Sequence, residues 1–284
     1  MRLPLISIVV TTRNNHATLE ACLSSIKQQT YPNIELVIID NNSTDDTKDI
    51  AKRYTNKVFN RGPERSTQRN FGVQKARGEY VLIIDSDMEL GEHVVRACVE
   101  KVQNATTYKA IIIPEESFGE GFWAQCKRLE RSFYVGVDAI EAARFFEKNL
   151  YEYVGGYNEA MSGGEDWDLT RRVSKVVSVG RVTTFIAHNE GHPHFMRTVR
   201  KMYYYAHAAS TFFANNPTAS VLTDQSGPIE RYKLFFSHPI KLLKNPVVGI
   251  GMLTLKTAEY AAGGAGMMIA HHAERQNARD EETT

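Results

Sequence analysis

The sequence predicts an α/β fold: a mostly parallel Rossmann-like sheet flanked by helices, with a helical extension at the C-terminal end. Three observations predict it. The runs Leu5–Val10, Ile34–Ile39 and Tyr80–Ile84 are apolar and rich in β-branched residues, as strands buried on both faces should be. Helix-like stretches separate them through short connections, the pattern of right-handed crossovers in a parallel sheet. Finally, Tyr80–Ile84 ends abruptly in Asp85-Ser86-Asp87. Two carboxylates where a buried strand runs out cannot both sit unpaired in a core without a large desolvation cost. In open α/β sheets the crevice at the carboxyl ends of the strands is where ligands bind. A hard cation shared with a phosphate-bearing ligand accounts for the pair better than a solvated turn does.

The elements follow in order. Leu5–Val10 leads into the polar turn Thr11-Thr12-Arg13-Asn14-Asn15, then a helix with Ala17, Leu19, Leu23 and Ile26 at apolar positions. Ile34–Ile39 ends in Asp40, and Ser43 and Asp46 are spaced as a capping pair for the next helix. Lys57–Asn60 is a short strand, Gly62-Pro63 a break, and Ser66–Ala76 a helix stopped by Gly78. After Tyr80–Ile84 come a helix near Glu92–Gln103 and a strand at Lys109–Ile113. No Gly-x-Gly-x-x-Gly and no Gly-Lys-Ser/Thr loop occurs, so dinucleotide and P-loop readings lose their main support.

The second half changes character. Phe122–Val135 is amphipathic, Ala142–Phe146 reads as a strand, and Gly155-Gly156-Tyr157-Asn158-Glu159 is a Gly-rich loop. Gly163-Gly164 precede Glu165-Asp166-Trp167-Asp168, glycines that let backbone approach a ligand before acids at a helix start, where the macrodipole stabilises them. Simple capping by acids is the plainer alternative. Val182–Ala187 reads as a strand ending at His188.

Composition sets modest bounds. The chain has 284 residues, 42% hydrophobic and 24% charged, with formal net charge +1. That balance suits one α/β domain with an appendage and argues against nucleic-acid binding through net charge. Cys22, Cys98 and Cys126 are odd in number and widely spaced, which suggests a reducing compartment and no zinc motif. MRLPLISIVV reads as a first strand rather than a signal peptide.

Several pieces together resemble family 2 glycosyltransferases of the A-type fold. They are Ser7 to Asn14, Val37 to Asp45, Gln68-Arg69-Asn70-Phe71-Gly72, Gly78-Glu79-Tyr80 leading to Asp85-Ser86-Asp87, Gly155 to Glu159, and Glu165-Asp166. Each is weak alone; the ordered set, covering roughly Ile6–His192, is specific. The resemblance implies a nucleotide-diphosphate sugar donor, Mn²⁺ or Mg²⁺, and inversion at the anomeric carbon. It puts Thr11, Thr12, Arg13 and Asn14 beside the nucleotide base and gives Asp40 a hydrogen bond from that base. Arg65 and Arg69 lie in a segment that helps hold the donor, and Ser86 sits inside the acid-x-acid motif. Asp87 would hold the metal, with Asp85 near both ribose and metal. Asp166 matches the catalytic base; Glu165 and Trp167 fall on the acceptor side. A histidine after the base completes the metal site in several relatives: His188 is the better-placed match, His192 the fallback.

The basic C-terminal region, and nothing else in the sequence, points to a saccharide acceptor that is lipid-linked or on a cell surface. A sugar-nucleotide nucleotidyltransferase is the competing enzyme class, but Thr11–Asn15 lacks the glycine its loop would need. An inactive glycan-binding module is disfavoured because both acidic motifs are intact. The expected division is a catalytic domain over 1–194, donor half about 1–114 and acceptor half about 115–194, then an extension over 195–284. In that extension Phe195–Phe213 reads as a helix and Ile229–Leu243 as a basic amphipathic stretch with Arg231, Lys233, Lys241 and Lys244. Pro246–Ala270 is largely apolar, but Lys256, Glu259 and its glycines keep it short of a spanning helix of about 20 uncharged residues. A helical hairpin on a membrane surface is the expectation, which would put the enzyme in the cytoplasm, at the cytoplasmic face of the membrane. The polar tail Ala273–Thr284 reads as frayed.

Overall fold

The computed structural model describes residues 3–105, 107–161, 163–215 and 227–282. In chain order the elements are β1 (Ile6–Thr12), α1 (His16–Lys27), β2 (Ile34–Asp40), α2 (Thr47–Tyr54), β3 (Val58–Asn60), α3 (Arg65–Lys75) and β4 (Tyr80–Asp85). Then come β5 (Met88–Leu90), α4 (Val94–Asn104), β6 (Tyr108–Ile112), β7 (Glu115–Phe118), α5 (Gly121–Tyr134), β8 (Ala143–Glu147), α6 (Lys148–Tyr153) and α7 (Glu165–Ser174). The chain continues through β9 (Ser178–Arg181), β10 (Ile186–Asn189), α8 (Phe195–Asn215), α9 (Pro228–Phe236), α10 (Pro239–Leu243) and α11 (Pro246–Glu282). They form two compact units interleaved in sequence.

The first unit comprises Met1–Glu116, Val135–Glu159 and Glu165–Asn189. Its seven-stranded sheet has the order β3-β2-β1-β4-β8-β6-β9. The first four strands are mutually parallel, β8 runs antiparallel to β4 and β6, and β9 is parallel to β6. Because successive side chains of a strand point to opposite faces, each apolar run feeds two cores. Ile8, Val10, Leu82 and Ile84 pack with Leu19, Leu23, Val95 and Cys98 on one face. Val9, Val81 and Ile83 pack with Val73, Phe146, Tyr151 and Leu169 on the other. A smaller sheet, order β5-β10-β7, pairs Met88 with His188.

Two expectations need correction here. Val182–Ala187 is not one strand: β9 ends at Arg181 and β10 starts at Ile186, in different sheets. Val182 and Ile186 both reach the same core, so the apolar run records burial rather than continuous pairing. Nor do Ser43 and Asp46 form a capping pair. The Ser43 N–H donates to Asp40 Oδ2 (2.8 Å), and Asp45 Oδ1 accepts the Thr47 N–H (3.1 Å) at the helix start. Short β5, β7 and α6 were not anticipated, having too few residues to show a period.

The second unit comprises Ser117–Tyr134, Ala160–Gly164 and Glu190–Thr284. Its core joins Cys126 and Phe133 of α5 to Phe235, Leu242, Val248 and Met252. Pro246–Ala270 forms part of one helix, α11, which continues to Glu282 through most of the tail expected to fray. Its glycines serve close packing: a Cβ at Gly251 would lie 2.4 Å from Phe122 Cζ and 2.8 Å from Cys126 Sγ. Among the described residues no helix is long and apolar enough to cross a membrane.

Candidate active site

Strand register assembles the site. β1 ends between two acid-bearing strands, with Thr11 opposite Asp85 and Thr12 opposite Asp40. Two asparagines in the left-handed region, Asn14 (φ 46°) and Asn42 (φ 51°), turn the chain just beyond those ends. Asparagine tolerates that conformation because its short side chain bonds locally. Asn14 Oδ1 accepts the Thr44 N–H (2.8 Å), and Ser43 Oγ accepts the Asn14 N–H (2.8 Å). Arg13, beside them, is exposed. Ser86 is pinned by α1: its Oγ accepts from Asn15 Nδ2 (2.7 Å) and its carbonyl from Thr18 Oγ1 (2.8 Å).

Asp40 is fully buried. Its Oδ2 receives the Ser43 N–H and lies 3.6 Å from Lys48 Nζ. Among the described residues its Oδ1, like the buried Thr12 Oγ1, has no hydrogen-bond partner. Buried polar atoms are rarely left so, and two adjacent ones ask for a ligand.

Arg69 is the hub of the acidic cluster, with 0% of its surface exposed. Nη2 donates to both oxygens of Asp85 (3.0 and 2.9 Å), Nη1 to Glu165 Oε1 (3.3 Å) and Asp166 Oδ1 (3.1 Å). The guanidinium also lies 4.9 Å from the centroid of the Tyr157 ring. Burial by itself would raise the Asp85 pKa; Arg69 first, then Arg144 and Arg65, overcome it and hold that carboxyl well below its usual range. Thr11 Oγ1 adds a hydrogen bond of 2.8 Å to Asp85 Oδ1. Burial likewise opposes the charge on Arg69, but Asp166 and Asp85 drive its pKa above the usual value.

Asp166 lies in the first turn of α7 with Glu165 and Asp168, where acids suit the helix dipole. Its Oδ1 accepts from Arg69 and from Tyr157 Oη (2.9 Å). The Gly-rich loop that delivers Tyr157 is held by Asn70, whose Oδ1 accepts from Tyr151 Oη (2.6 Å) and the Tyr157 N–H (2.9 Å). Gly156 (φ 64°) is required there, since a Cβ would lie 2.6 Å from Asn70 Oδ1. Arg172 binds the carbonyls of Val154 (2.6 Å) and Gly156 (2.7 Å) and also Asp168 (2.8 Å), so Asp168 helps to anchor the loop. Trp167 donates its indole N–H to the Ile140 carbonyl (2.5 Å). Arg65, half exposed, reaches to 3.6 Å from Glu165 Oε1.

A second group gathers at the smaller sheet. Asp87 Oδ2 lies 3.5 Å from His188 Nε2, and the buried Asp87 Oδ1 has no hydrogen-bond partner among the described residues. On the other side of the ring, His188 Nδ1 is 3.6 Å from Glu115 Oε2, and Glu115 Oε1 accepts from Arg144 Nε (2.6 Å). Asp87 thus keeps one oxygen without a partner among the described residues and sets the other beside His188 Nε2, two donor types that suit a divalent cation. Asp85, with both oxygens on Arg69, does not join them, and no group of three or more such ligands is gathered among the described residues. His192 belongs to the second unit, its ring 5.2 Å from that of His194.

The sequence reading gave no role to Gln68, Asn70, Glu115, Arg144 or Arg172. Gln68 and Asn70 flank Arg69 in a motif already singled out. Gln68 Nε2 ties the carbonyls of Thr12 (3.2 Å) and Ile39 (2.8 Å). Glu115, Arg144 and Arg172 carry no local signal, because only the fold brings their partners to them.

The family model described as glycosyl transferase family 2 matches residues 7–155, a little over half of the chain. A Campylobacter jejuni protein named GalNAc(5)-diNAcBac-PP-undecaprenol beta-1,3-glucosyltransferase is 26% identical over 181 residues, 57% of this chain and 58% of the relative. A PGL/p-HBAD biosynthesis glycosyltransferase of Mycobacterium tuberculosis is 30% identical over 184 residues, 61% of this chain and 70% of the relative. This chain therefore spans little more than half the length of the first relative and about two thirds of the second. Among solved structures, mannosyltransferase PcManGT from Pyrobaculum calidifontis, in complex with GDP-Man and Mn²⁺, superposes with TM-score 0.58 at 20% identity, covering 98% of this chain and 81% of that one. TarS 1-349 of S. aureus gives TM-score 0.57 at 16% identity, covering 96% and 92%. At such identities the likeness establishes the fold, an α/β sheet flanked by helices with a helical C-terminal region.

Proposed function

This chain belongs to glycosyl transferase family 2, and we propose that it is an inverting, metal-dependent glycosyltransferase. On this reading it moves a sugar from a nucleotide-diphosphate donor to an acceptor hydroxyl of a lipid-linked saccharide or surface glycan. One observation carries the reading: a single buried guanidinium, Arg69, ties the acid that ends β4 to the acid that opens α7. Donor-side and acceptor-side carboxylates are thereby held in one rigid frame, the preorganisation that transfer between two substrates needs. The division of labour is then catalysis over 1–194 and an extension over 195–284.

The unpartnered Asp40 Oδ1 and Thr12 Oγ1 form the pocket for the nucleotide base, with Arg13 and Asn14 at its rim. Asp85, fixed by Arg69 and Thr11, lies beside the ribose and orients rather than ligates. Asp87 and His188 would hold Mn²⁺ or Mg²⁺; a mannosyltransferase of the same fold was solved with GDP-Man and Mn²⁺, which supports this. When bound, the cation would neutralise charge growing on the departing diphosphate. Asp166 is the base. With Oδ1 committed to Arg69 and Tyr157, Oδ2 takes the acceptor proton as the acceptor oxygen bonds to the anomeric carbon. The bond from that carbon to the diphosphate breaks on the opposite face, and configuration inverts. Glu165, held by Arg69 and flanked by Arg65, supports the acceptor side, as does Trp167. The undecaprenol-linked acceptor in the C. jejuni relative's name supports a lipid-linked acceptor; work at the cytoplasmic face of a membrane is part of the same proposal.

The test is a screen of nucleotide sugars for Mn²⁺-dependent hydrolysis and transfer, repeated with Asp166→Asn. The amide keeps size and hydrogen bonding but cannot take the proton. Transfer should fall by about 10²–10⁴-fold while donor affinity holds. Near-wild-type transfer by Asp166→Asn, with a collapse in Glu165→Gln, would move the base to Glu165.

A further inference from the structure

The second unit carries a surface that catalysis does not use. Across 236–247 every residue except Leu242 is exposed. Leu242 anchors this tip in the core with Phe235 and Val248, and Lys241 Nζ donates to the Ser132 carbonyl (2.8 Å). Its neighbours are large and apolar: Phe236 is 60% exposed, Ile240 83%, Leu243 68%, Val247 68% and Ile250 67%. Single exposed apolar residues are ordinary, but five within fifteen consecutive positions mark a contact surface. Pro239 and Pro246 open the two helices and fix the turn between them, so the tip is shaped before it meets anything.

Charge decides what it meets. Tyr232–Ala258 contains no Asp or Glu and exposes Lys233, Lys241 and Lys244; Lys233 pairs with Glu230 (2.6 Å), and Lys241 Nζ also donates to the Ser132 carbonyl (2.8 Å). A second copy docking by the 236–250 tip would set Lys241 and Lys244 against their counterparts with no acid in the tip to receive them. An anionic bilayer offers what the tip lacks, an apolar interior for the side chains and phosphates for the ammonium groups. We infer that the Phe236–Ile250 tip is a docking surface for an anionic lipid bilayer. Ile240 and Leu243 enter the boundary between headgroups and acyl chains, and Lys241 and Lys244 lie at the phosphates. This narrows the membrane-facing part of the extension to α10 and its flanks. It would bring a lipid-linked acceptor of the proposed reaction to the enzyme, but it stands on exposure and charge alone.

Flotation of the full-length chain with phosphatidylcholine vesicles, with and without a quarter phosphatidylglycerol, tests it. Binding should require the anionic lipid and weaken as salt is added. At about 1 kcal/mol per lysine near such a surface, Lys241→Gln/Lys244→Gln should lower the partition coefficient roughly thirtyfold. Ile240→Glu/Leu243→Glu should abolish binding, and both variants should fold, since all four side chains are exposed and the one hydrogen bond lost, from Lys241 to the Ser132 carbonyl, lies at the surface. Failure of the wild type to bind, equal binding to neutral vesicles, or unchanged binding by both variants would overturn the inference. So would a dimer in light scattering that Ile240→Glu/Leu243→Glu disperses, which would assign the tip to a second copy. Transfer to a water-soluble acceptor should survive in both variants. A chain that binds vesicles but transfers no sugar would refute the functional reading and leave the docking surface standing.

Discussion

Lys256 of the second unit sits between Glu130 and Glu259, 2.6 Å from each, with Tyr134 Oη on Glu130 (2.5 Å). Arg69 of the first unit sits among Asp85, Glu165 and Asp166 at 2.9–3.3 Å. Both clusters are buried cations shared among carboxylates, and burial opposes the charge in each. In the helical unit the short contacts win, Glu130 foremost, and keep Lys256 charged above its usual range. What differs is the surroundings. In the unit that holds Arg69, atoms of Thr12, Asp40 and Asp87 and Arg69 Nε are buried without hydrogen-bond partners among the described residues; in the helical unit Arg231 Nε is. On the proposed reading the first cluster is a frame for ligands, whereas the second ties α5 to α11. Buried charge alone marks neither function nor stability; buried polar atoms without partners are the feature that calls for an explanation.

The comparison breaks most visibly under deletion of the cations. Arg69→Met and Lys256→Met each leave buried carboxylates unpaired, which should cost about 3–5 kcal/mol of unfolding free energy in denaturant titrations. They should part in activity. Folded Lys256→Met should keep its turnover on a soluble acceptor, whereas Arg69→Met should lose transfer even where it folds. Equal loss of turnover would mean that the helical cluster also serves catalysis. Replacing the whole trio, as Lys256→Met/Glu130→Leu/Glu259→Leu, should recover much of the stability, because apolar side chains of similar volume substitute well for buried ion pairs.

A smaller effect is expected at Glu115, which faces His188 Nδ1 and binds Arg144. A carboxylate behind a metal-binding imidazole fixes its orientation, and losing it typically costs 10–100-fold in metal affinity, so Glu115→Gln should weaken Mn²⁺ binding by about that factor. Titration with Mn²⁺ in the absence of donor measures this directly. Unchanged affinity would remove His188 from the metal site.

The smallest effect is on acid stability, at the opposite end of the same sheet. Glu35 on β2 is buried and bonded by Ser7, Lys57 and Arg77, a closed cluster inside the unit that holds the open one. Burial would raise its pKa, but the Arg77 N–H, then Lys57 and Ser7, lower it to about 2 from 4.5. The folded value lies below the unfolded one, so this stability is present above about pH 4.5 and lost as pH falls toward about 2. Glu35→Gln should flatten that part of the stability profile and leave transfer at neutral pH unchanged. An unaltered slope would show that other carboxylates govern acid unfolding.

By itself the sequence determined the parallel strands, their order of appearance and the acids that end them. Each signal there is local: an apolar run with a carboxylate at its end reads the same wherever the strand is placed. Asp40, Asp85 and Asp87 stand out for that reason; Asp166 stands out as an acid at a helix start after two glycines, and Arg69 only through the family resemblance. The tertiary structure alone decided what those groups do to one another. It put Arg69 against Asp85 and Asp166, residues 16 and 97 positions away. It committed both oxygens of Asp85 to Arg69, and it brought Glu115 beside His188 with Arg144 on Glu115. It also split Val182–Ala187 between two sheets and kept α11 helical through its glycines, because packing overrides local preference where burial is at stake. Hydrophobic pattern is written along the chain; the pairing of buried charges depends on which loops converge at the strand ends, and no window of sequence contains that.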